Sequence, residues 1–190
     1  MSNLYLDCTT GTNPDGEFEI NDIGIRNIKK EIDNAYLLDT DTLTVYLNSC
    51  GGNPFMGFIL HSLIKNLKCN TVCYAIQASS AAFIPFLAFD RKILRTDGCC
   101  QIHNTSAPIS VPSGHVTQHD IVKNIESLRI TDDSMANIIS KNIESMNKND
   151  IFRLMEINKT FHPIELYSLN VIDELCETIQ KNPSTIVIHQ

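Results

Sequence analysis

Apolar strand patterns alternate with apolar helix patterns through the first half of the chain. Residues 42–47 alternate in hydrophobicity, which predicts a strand, and an apolar helix is predicted from about 55 to 67. A β-rich run at 71–76 then leads through residues 77–80 into a small, apolar segment at 81–89, which predicts a second strand and a buried helix. Strands that alternate with helices in this way indicate an α/β fold.

The longest helical pattern covers about residues 115 to 146. Its apolar residues follow a four-then-three spacing that Asp132 and Asn142 interrupt. Such a helix packs either on its own sheet or on another subunit, and the pattern leaves both open. The remaining predictions are a strand at 4–7, a loop at 9–17, a helix at 21–35, strands at 93–94 and 99–103, helices at 150–157 and 163–168, a strand or turn at 171–173, and an edge strand or tail at 184–189.

Composition restricts the class of protein. The chain has 190 residues, of which 43% are hydrophobic and 19% charged, enough for one domain with a core. A net charge of −7 without a long run of one sign disfavours a nucleic-acid or anionic-membrane partner. The longest apolar run, at 81–89, is about half of what a bilayer crossing needs, and no signal peptide is visible. We therefore expect a cytoplasmic protein.

Ser80 is the first candidate for chemistry. It stands where a strand turns sharply into a buried helix, and such a turn exposes its residue beside unpaired backbone N–H groups. Nucleophilic serines of other hydrolases occupy this kind of turn. The small neighbours Ala78, Ala81 and Ala82 let a substrate backbone approach closely. Two serines that merely cap a helix fit the same segment.

A glycine pair and a histidine occupy two other strand ends. Gly51 and Gly52 fall between a predicted strand and a helix, an order that makes a nest of N–H groups at a positive helix end. An ordinary turn between strand and helix is the alternative. His103 ends a predicted strand, where residues of an α/β sheet face the ligand crevice, although a surface histidine is the alternative. With Ser80, these features support an acyl-transfer hypothesis.

Four motifs carry a resemblance to one family. The set resembles the proteolytic subunit of the Clp protease over roughly residues 4–178, and Thr117 to Ile121 with the following helix resembles its inter-ring handle. The motifs are Leu47-Asn48-Ser49-Cys50-Gly51-Gly52, Gln77-Ala78-Ser79-Ser80-Ala81-Ala82, Gln101-Ile102-His103 and Val171-Ile172-Asp173-Glu174.

The resemblance implies a fold. Its class is α/β, with crotonase-like repeated ββα units and a long protruding handle helix at about 115–146. One domain would cover residues 1–190, with a head at about 4–112 and 158–178.

The resemblance also implies a role for each part of the candidate site. Ser80, rather than Ser79, corresponds to the nucleophile, and His103 corresponds to the general base. The backbone N–H groups of Gly52 and Ala81 correspond to the oxyanion hole. The implied function is a serine-type endopeptidase that cleaves peptide bonds inside an oligomeric chamber, with no metal ion or cofactor.

The third triad position departs from the family. Asn158 takes the place where the family usually has aspartate. Asparagine accepts a hydrogen bond from imidazole, as in Cys-His-Asn proteases, but it is neutral and stabilises the imidazolium less. The resemblance therefore implies either weak activity or a charge supplied by Glu156 or Asp150.

The resemblance implies partners too. We expect a homo-oligomer in family-like rings, with a heptamer as one expected form, and a peptide or unfolded protein as substrate. The family's axial segment has no counterpart before Leu4, so an AAA+ ATPase partner is in doubt.

Three alternatives stay open. Asn158 favours a catalytically degenerate Clp-like subunit that acts as a structural or assembly partner. A crotonase-like hydratase acting on a thioester would also use backbone N–H pairs, but it normally lacks the serine and histidine. A nucleophilic Cys50 or Cys73 lacks a supporting histidine spacing. The seven cysteines form no C-x-x-C pair or zinc spacing, so we expect reduced, mostly buried thiols.

Overall fold

The structure is a computed structural model in two compact units. The first unit contains residues 1–102 and 160–190, and the second contains residues 103–159. The predicted loop at 9–17 and most of the predicted helix at 21–35 lie outside the described residues. The structure describes residues 2–6, 29–30, 33, 42–107, 115–179 and 185–187.

A mixed sheet dominates the first unit. Its order is β5-β4-β3-β2-β1-β7, and β6 also pairs with β4. All of these pairs are parallel except β4 with β5. The α/β class is therefore confirmed. The strands are β1 Ser2–Leu6, β2 Thr42–Ser49, β3 Asn70–Ala78, β4 Arg91–Gln101, β5 Thr160–Phe161, β6 Glu174–Cys176 and β7 Thr185–Val187.

Helices complete both units. None of those in the described ranges is long and apolar enough to cross a membrane. In the first unit a 3₁₀ turn, Ser80–Ala82, precedes α2. Between residues 42 and 179, the helices described for the first unit are α1 Pro54–Lys65, α2 Phe83–Phe86 and α5 Pro163–Ser168, and those described for the second are α3 Gln118–Ser140 and α4 Lys148–Glu156.

The buried core of the first unit includes the segment that follows Ser80. Phe83, Phe86 and Phe161 are completely buried, and the rings of Phe83 and Phe161 stack with centroids 6.4 Å apart. Burying each such side chain contributes about 1.5–3 kcal/mol. The segment after Ser80 is thus fixed by packing, since a helix as short as α2 is not stable alone.

Hydrogen bonds between Thr71 and Asp90, called the clamp below, join the two ends of the segment that runs from β3 to the start of β4. The Asp90 carboxylate accepts hydrogen bonds from the Thr71 N–H at 2.9 Å and from the Thr71 hydroxyl at 2.8 Å. In return, the Asp90 N–H donates to the Thr71 hydroxyl at 2.9 Å. The two ends of residues 71–90 are therefore held together, with Ser80 near the middle of the segment.

Two predicted strands, at 93–94 and 99–103, are in fact the single strand β4 of 11 residues. The prediction of two separate strands was wrong, because the strand continues through Gly98. A Cβ at Gly98 would lie 2.4 Å from the Ile76 carbonyl oxygen, so glycine here allows a close approach to β3. The register between β3 and β4 shifts at this point.

The predicted helix at 81–89 is also shorter than expected, because hydrogen bonds between residues three apart tighten its end. The Ala88 N–H donates to the Pro85 carbonyl and the Phe89 N–H to the Phe86 carbonyl.

The predicted helix at 115–146 is corrected to α3, which has 23 residues. It begins after Thr117, whose hydroxyl accepts from the Asp120 N–H while the Asp120 carboxylate accepts from the Thr117 N–H. The Thr117 hydroxyl and the Thr117 N–H both donate to the Asp120 carboxylate, and these bonds lower the pKa of Asp120 below its ordinary value. The helix ends where the Asn142 side chain donates to the Ile138 carbonyl at 2.9 Å. Its protrusion as a handle, and the division into head and handle, stay predictions.

Candidate active site

The backbone of Ser80 has a conformation that few residues other than glycine adopt. Its φ is 55°, in the left-handed region, directly after the extended residue Ser79 with φ −112°. An L-residue in this region costs about 1–2 kcal/mol, and such strain is concentrated at functional sites. The sharp turn between β3 and the 3₁₀ turn matches the geometry that nucleophilic serines use.

The two neighbouring serines have different environments. Ser79 is 2% exposed, its N–H donates to the Ser49 carbonyl at 3.0 Å, and its hydroxyl accepts from the Gln77 amide at 3.3 Å. Ser80 is partly exposed, and its hydroxyl makes no hydrogen bond within the described residues of its unit. Ser79 is therefore fixed within the turn, whereas Ser80 stays partly exposed.

The glycine loop packs directly against the Ser80 turn. Gly51 has φ 115° and Gly52 has φ 143°, and the Gly51 N–H donates to the Ser49 hydroxyl at 3.2 Å. A Cβ on Gly51 would lie 2.6 Å from the Ser80 Cβ and 3.1 Å from the Ala81 nitrogen. The two motifs meet because Ser49 lies opposite Ala78 in the parallel pairing of β2 with β3.

Backbone donors lie beside this turn. Within the 3₁₀ turn, Ala82 and Phe83 donate to the carbonyls of Ser79 and Ser80. Ala81 comes before the first of these donors, so its N–H has no acceptor within the turn. Gly52 is exposed and precedes α1, whose positive end favours a developing oxyanion. The pairing of Gly52 and Ala81 as an oxyanion hole stays a prediction.

Replacing Gly51 with alanine is expected to lower the free energy of unfolding by about 2–3 kcal/mol, because the new Cβ overlaps the Ser80 turn and the positive φ strains it. Denaturant unfolding measures the change. Cys50→Ala is the matched control, because Cys50 is exposed and next to Gly51 in the same loop. Equal stability of the two variants would contradict the close packing of the loop on the turn.

His103 lies two residues after the end of β4 and begins the second unit. Its ring is partly exposed, and Nδ1 lies 2.7 Å from the carbonyl oxygen of Asn104. A carbonyl can only accept, so this contact requires the tautomer in which Nδ1 carries the proton. Nε2 is then the acceptor, as in the general base of a serine peptidase.

Asn158 lies in the second unit just after α4, and it has a backbone reason to be asparagine. Its φ is 52°, and its N–H donates to the Met155 carbonyl at 3.1 Å, as residues that end helices do. The alternative acid Asp150 accepts from the Asn147 N–H at 3.0 Å, at the opposite end of α4. Glu156 is exposed. The role of Asn158 as third triad member stays a prediction.

One polar contact beside His103 was missed by the sequence analysis. The Thr105 N–H donates to Asp132 Oδ1 at 2.6 Å, which ties the segment after His103 to α3. The available signal was that Asp132 interrupts the apolar spacing of the helix. Because the two residues are far apart in sequence, the spacing did not identify its partner.

The expectation of mostly buried thiols is wrong for the described cysteines, because only Cys73 and Cys100 among them are buried. Cys73 and Cys100 are completely buried, and burial raises the pKa of the Cys100 thiol. A nucleophilic Cys73 is therefore excluded, since no substrate reaches it. In the described ranges, no three His, Cys, Asp or Glu side chains group closely enough to hold a metal ion.

Comparisons with known proteins identify a matching family and solved structures with a similar fold. The family model described as Clp protease matches residues 22–179. The structure is similar to ClpP1 from Listeria monocytogenes, with a TM-score of 0.67 and 18% identity over 94% of this chain and 92% of that chain. An asparagine-to-aspartate mutant of that ClpP1 has a TM-score of 0.73 and 16% identity over 93% and 91%. A search of the curated proteins finds no match.

Proposed function

Because the chain belongs to the Clp protease family, we propose that it is a serine-type endopeptidase with Ser80 as its nucleophile. The observation that carries the proposal is the Ser80 turn, with its φ of 55° and its packing against the Gly51 backbone. Ser80 is partly exposed, whereas Ser79 is buried. A turn that merely capped a helix would not need this strained conformation.

In the proposed reaction, Ser80 Oγ attacks the peptide carbonyl while His103 Nε2 takes its proton. The N–H groups of Gly52 and Ala81 stabilise the negative charge on the carbonyl oxygen, each contributing about 3 kcal/mol. His103 then returns the proton to the leaving amine, and water hydrolyses the acyl-enzyme by the reverse sequence. Asn158 would orient the imidazole, and its neutral side chain predicts slow turnover.

Labelling with a fluorophosphonate tests the proposal, because this reagent phosphonylates an activated serine hydroxyl. We expect one adduct per chain, which peptide mass spectrometry places on Ser80. A folded and assembled preparation that takes up no label contradicts the proposal.

A homo-oligomer that encloses the peptide or unfolded-protein substrate is part of the same proposal. The first half of α3 supports it, because Ile121, Val122 and Ile125 lie on one side of the helix and are each more than 40% exposed. Contiguous exposed apolar side chains are typical of interfaces. A family-like ring, and an AAA+ ATPase that feeds it, stay predictions.

Ile125→Glu is expected to weaken this association by about 2 kcal/mol or more per interface, because a carboxylate would be buried without a partner. Light scattering after gel filtration measures the mass of the assembly. The matched control is Ser127→Glu, which adds the same charge at an exposed polar position of α3. If both variants form assemblies of the wild-type mass, the exposed apolar side chains in the first half of α3 do not form an interface.

A degenerate subunit is the second candidate function. The observation that favours it is the neutral Asn158, whose left-handed backbone after α4 is sufficient to explain the asparagine. Such a subunit would assemble normally but contribute no nucleophile.

A further inference from the structure

A chain of hydrogen bonds connects Asp132 to the His103 ring through one peptide group. The Thr105 N–H donates to Asp132 Oδ1 at 2.6 Å, and the Asn104 carbonyl oxygen lies 2.7 Å from His103 Nδ1. This N–H and this carbonyl are the two ends of the same peptide bond. The carboxylate and the imidazole therefore bind opposite ends of a single planar unit.

The peptide transmits both orientation and polarisation. Because the peptide is planar, a bond that fixes its N–H also fixes the direction of its carbonyl. A carboxylate that accepts from an N–H makes a strong, charge-assisted bond. Hydrogen bonds in series polarise one another, so the Asn104 carbonyl becomes a better acceptor for Nδ1–H.

The surroundings of Asp132 hold its carboxylate beside the Asn104–Thr105 peptide. It is partly buried on α3 between the buried residues Thr131 and Met135. The Thr105 hydroxyl also contacts the Met135 sulfur at 3.8 Å, so two contacts hold the segment on the helix. The adjacent Asp133 is exposed and pairs with Lys148 at 2.5 Å instead.

We propose that Asp132 is a positioning residue for the His103 imidazole, acting through the Asn104–Thr105 peptide. It fixes the tautomer with the proton on Nδ1 and leaves Nε2 to accept the proton of Ser80. Its negative charge favours the imidazolium that forms in that step, as a triad aspartate does by direct contact. The inference rests on the proposed peptidase function, and it supplies a charge that the neutral Asn158 lacks.

Steady-state kinetics on a short peptide substrate test the inference. Asp132→Asn keeps an oxygen for the Thr105 N–H but loses the charge, so we expect kcat to fall about tenfold. Asp132→Ala also loses the acceptor, and misplacing the ring is expected to lower kcat about a hundredfold. KM should stay unchanged in both, because Asp132 does not touch substrate. Asp133→Asn removes the same charge one residue away and should match wild type.

The ¹⁵N spectrum of the His103 ring provides a readout that does not depend on hydrolysis. Neutral imidazole shows different shifts for its protonated and unprotonated nitrogens. We expect the proton on Nδ1 in the wild type and a mixture of tautomers in Asp132→Ala. His103→Gln identifies the signals, and unfolding midpoints show that each variant is folded.

The inference is overturned if Asp132→Ala has the kcat of the wild type and the same His103 tautomer. It is also overturned if the substitution changes KM but not kcat. If Asp132→Ala does not fold, the kcat of Asp132→Asn is the test, and a kcat equal to that of the wild type overturns the inference. Failure of the peptidase proposal is distinguishable, because wild type would then not label at Ser80 whatever the state of the His103 ring.

Discussion

Replacing Ser80 with alanine is expected to abolish peptide hydrolysis. Loss of the nucleophile lowers kcat of subtilisin by about 2 × 10⁶, and we expect a loss of about 10⁴ here, because the neutral Asn158 already lowers kcat about a hundredfold. The hydroxyl makes no hydrogen bond within the described residues of its unit, so its removal should leave folding and assembly unchanged. A fluorogenic peptide measures the activity, and light scattering measures the assembly.

Ser79→Ala is the matched control for this experiment. The Ser79 hydroxyl is buried and accepts from Gln77, so its loss should lower the free energy of unfolding by about 1 kcal/mol. Activity per folded chain should remain. If Ser80→Ala instead leaves every measurable activity unchanged while the assembly persists, the degenerate-subunit function is correct.

Replacing Asn158 with aspartate is expected to raise kcat by about a hundredfold or more. The reverse replacement in the triad of trypsin lowers kcat by about 10⁴, because a carboxylate holds the tautomer and stabilises the imidazolium. Aspartate, like asparagine, tolerates the left-handed backbone that this position requires. Hydrolysis of the fluorogenic peptide and the rate of fluorophosphonate labelling both measure the gain.

Asn170→Asp controls for the substitution itself. Asn170 also follows a helix with a positive φ of 55°, and its N–H donates to the Tyr167 carbonyl at 3.1 Å. In either variant, a negative charge after a helix costs about 0.3–1 kcal/mol. Only Asn158→Asp should gain activity, and an equal effect of both variants would exclude Asn158 as the third triad member.

The sequence predicted best where local pattern and fold agree. Helix α5 has the predicted bounds, 163–168, and Pro163 at its start favours a helix beginning there. The edge-strand alternative at 184–189 is confirmed by β7, which pairs with β1. The packing of Gly51 on the Ser80 turn follows from two neighbouring parallel strands, whose ends meet at one sheet edge.

Features that depend on tertiary contacts were not predictable. β4 continues through Gly98 because β3 approaches closely there, which a sequence pattern does not record. Hydrogen bonds of Thr117 and Asn142 set the ends of α3, whereas the apolar spacing continues beyond them. The partner of Asp132, the Thr105 N–H, lies on a segment distant in sequence and is brought to the helix only by the tertiary fold.

The clamp between Thr71 and Asp90 has a practical meaning for protein engineering. A graft needs end points that already lie side by side, and these two residues provide them through three hydrogen bonds. An engineer who wishes to install this serine in another parallel sheet can therefore transplant residues 71–90 as one block. The host strand beside the graft must then be followed by a glycine at the position of Gly51, because the Ser80 turn leaves no room there for a side chain.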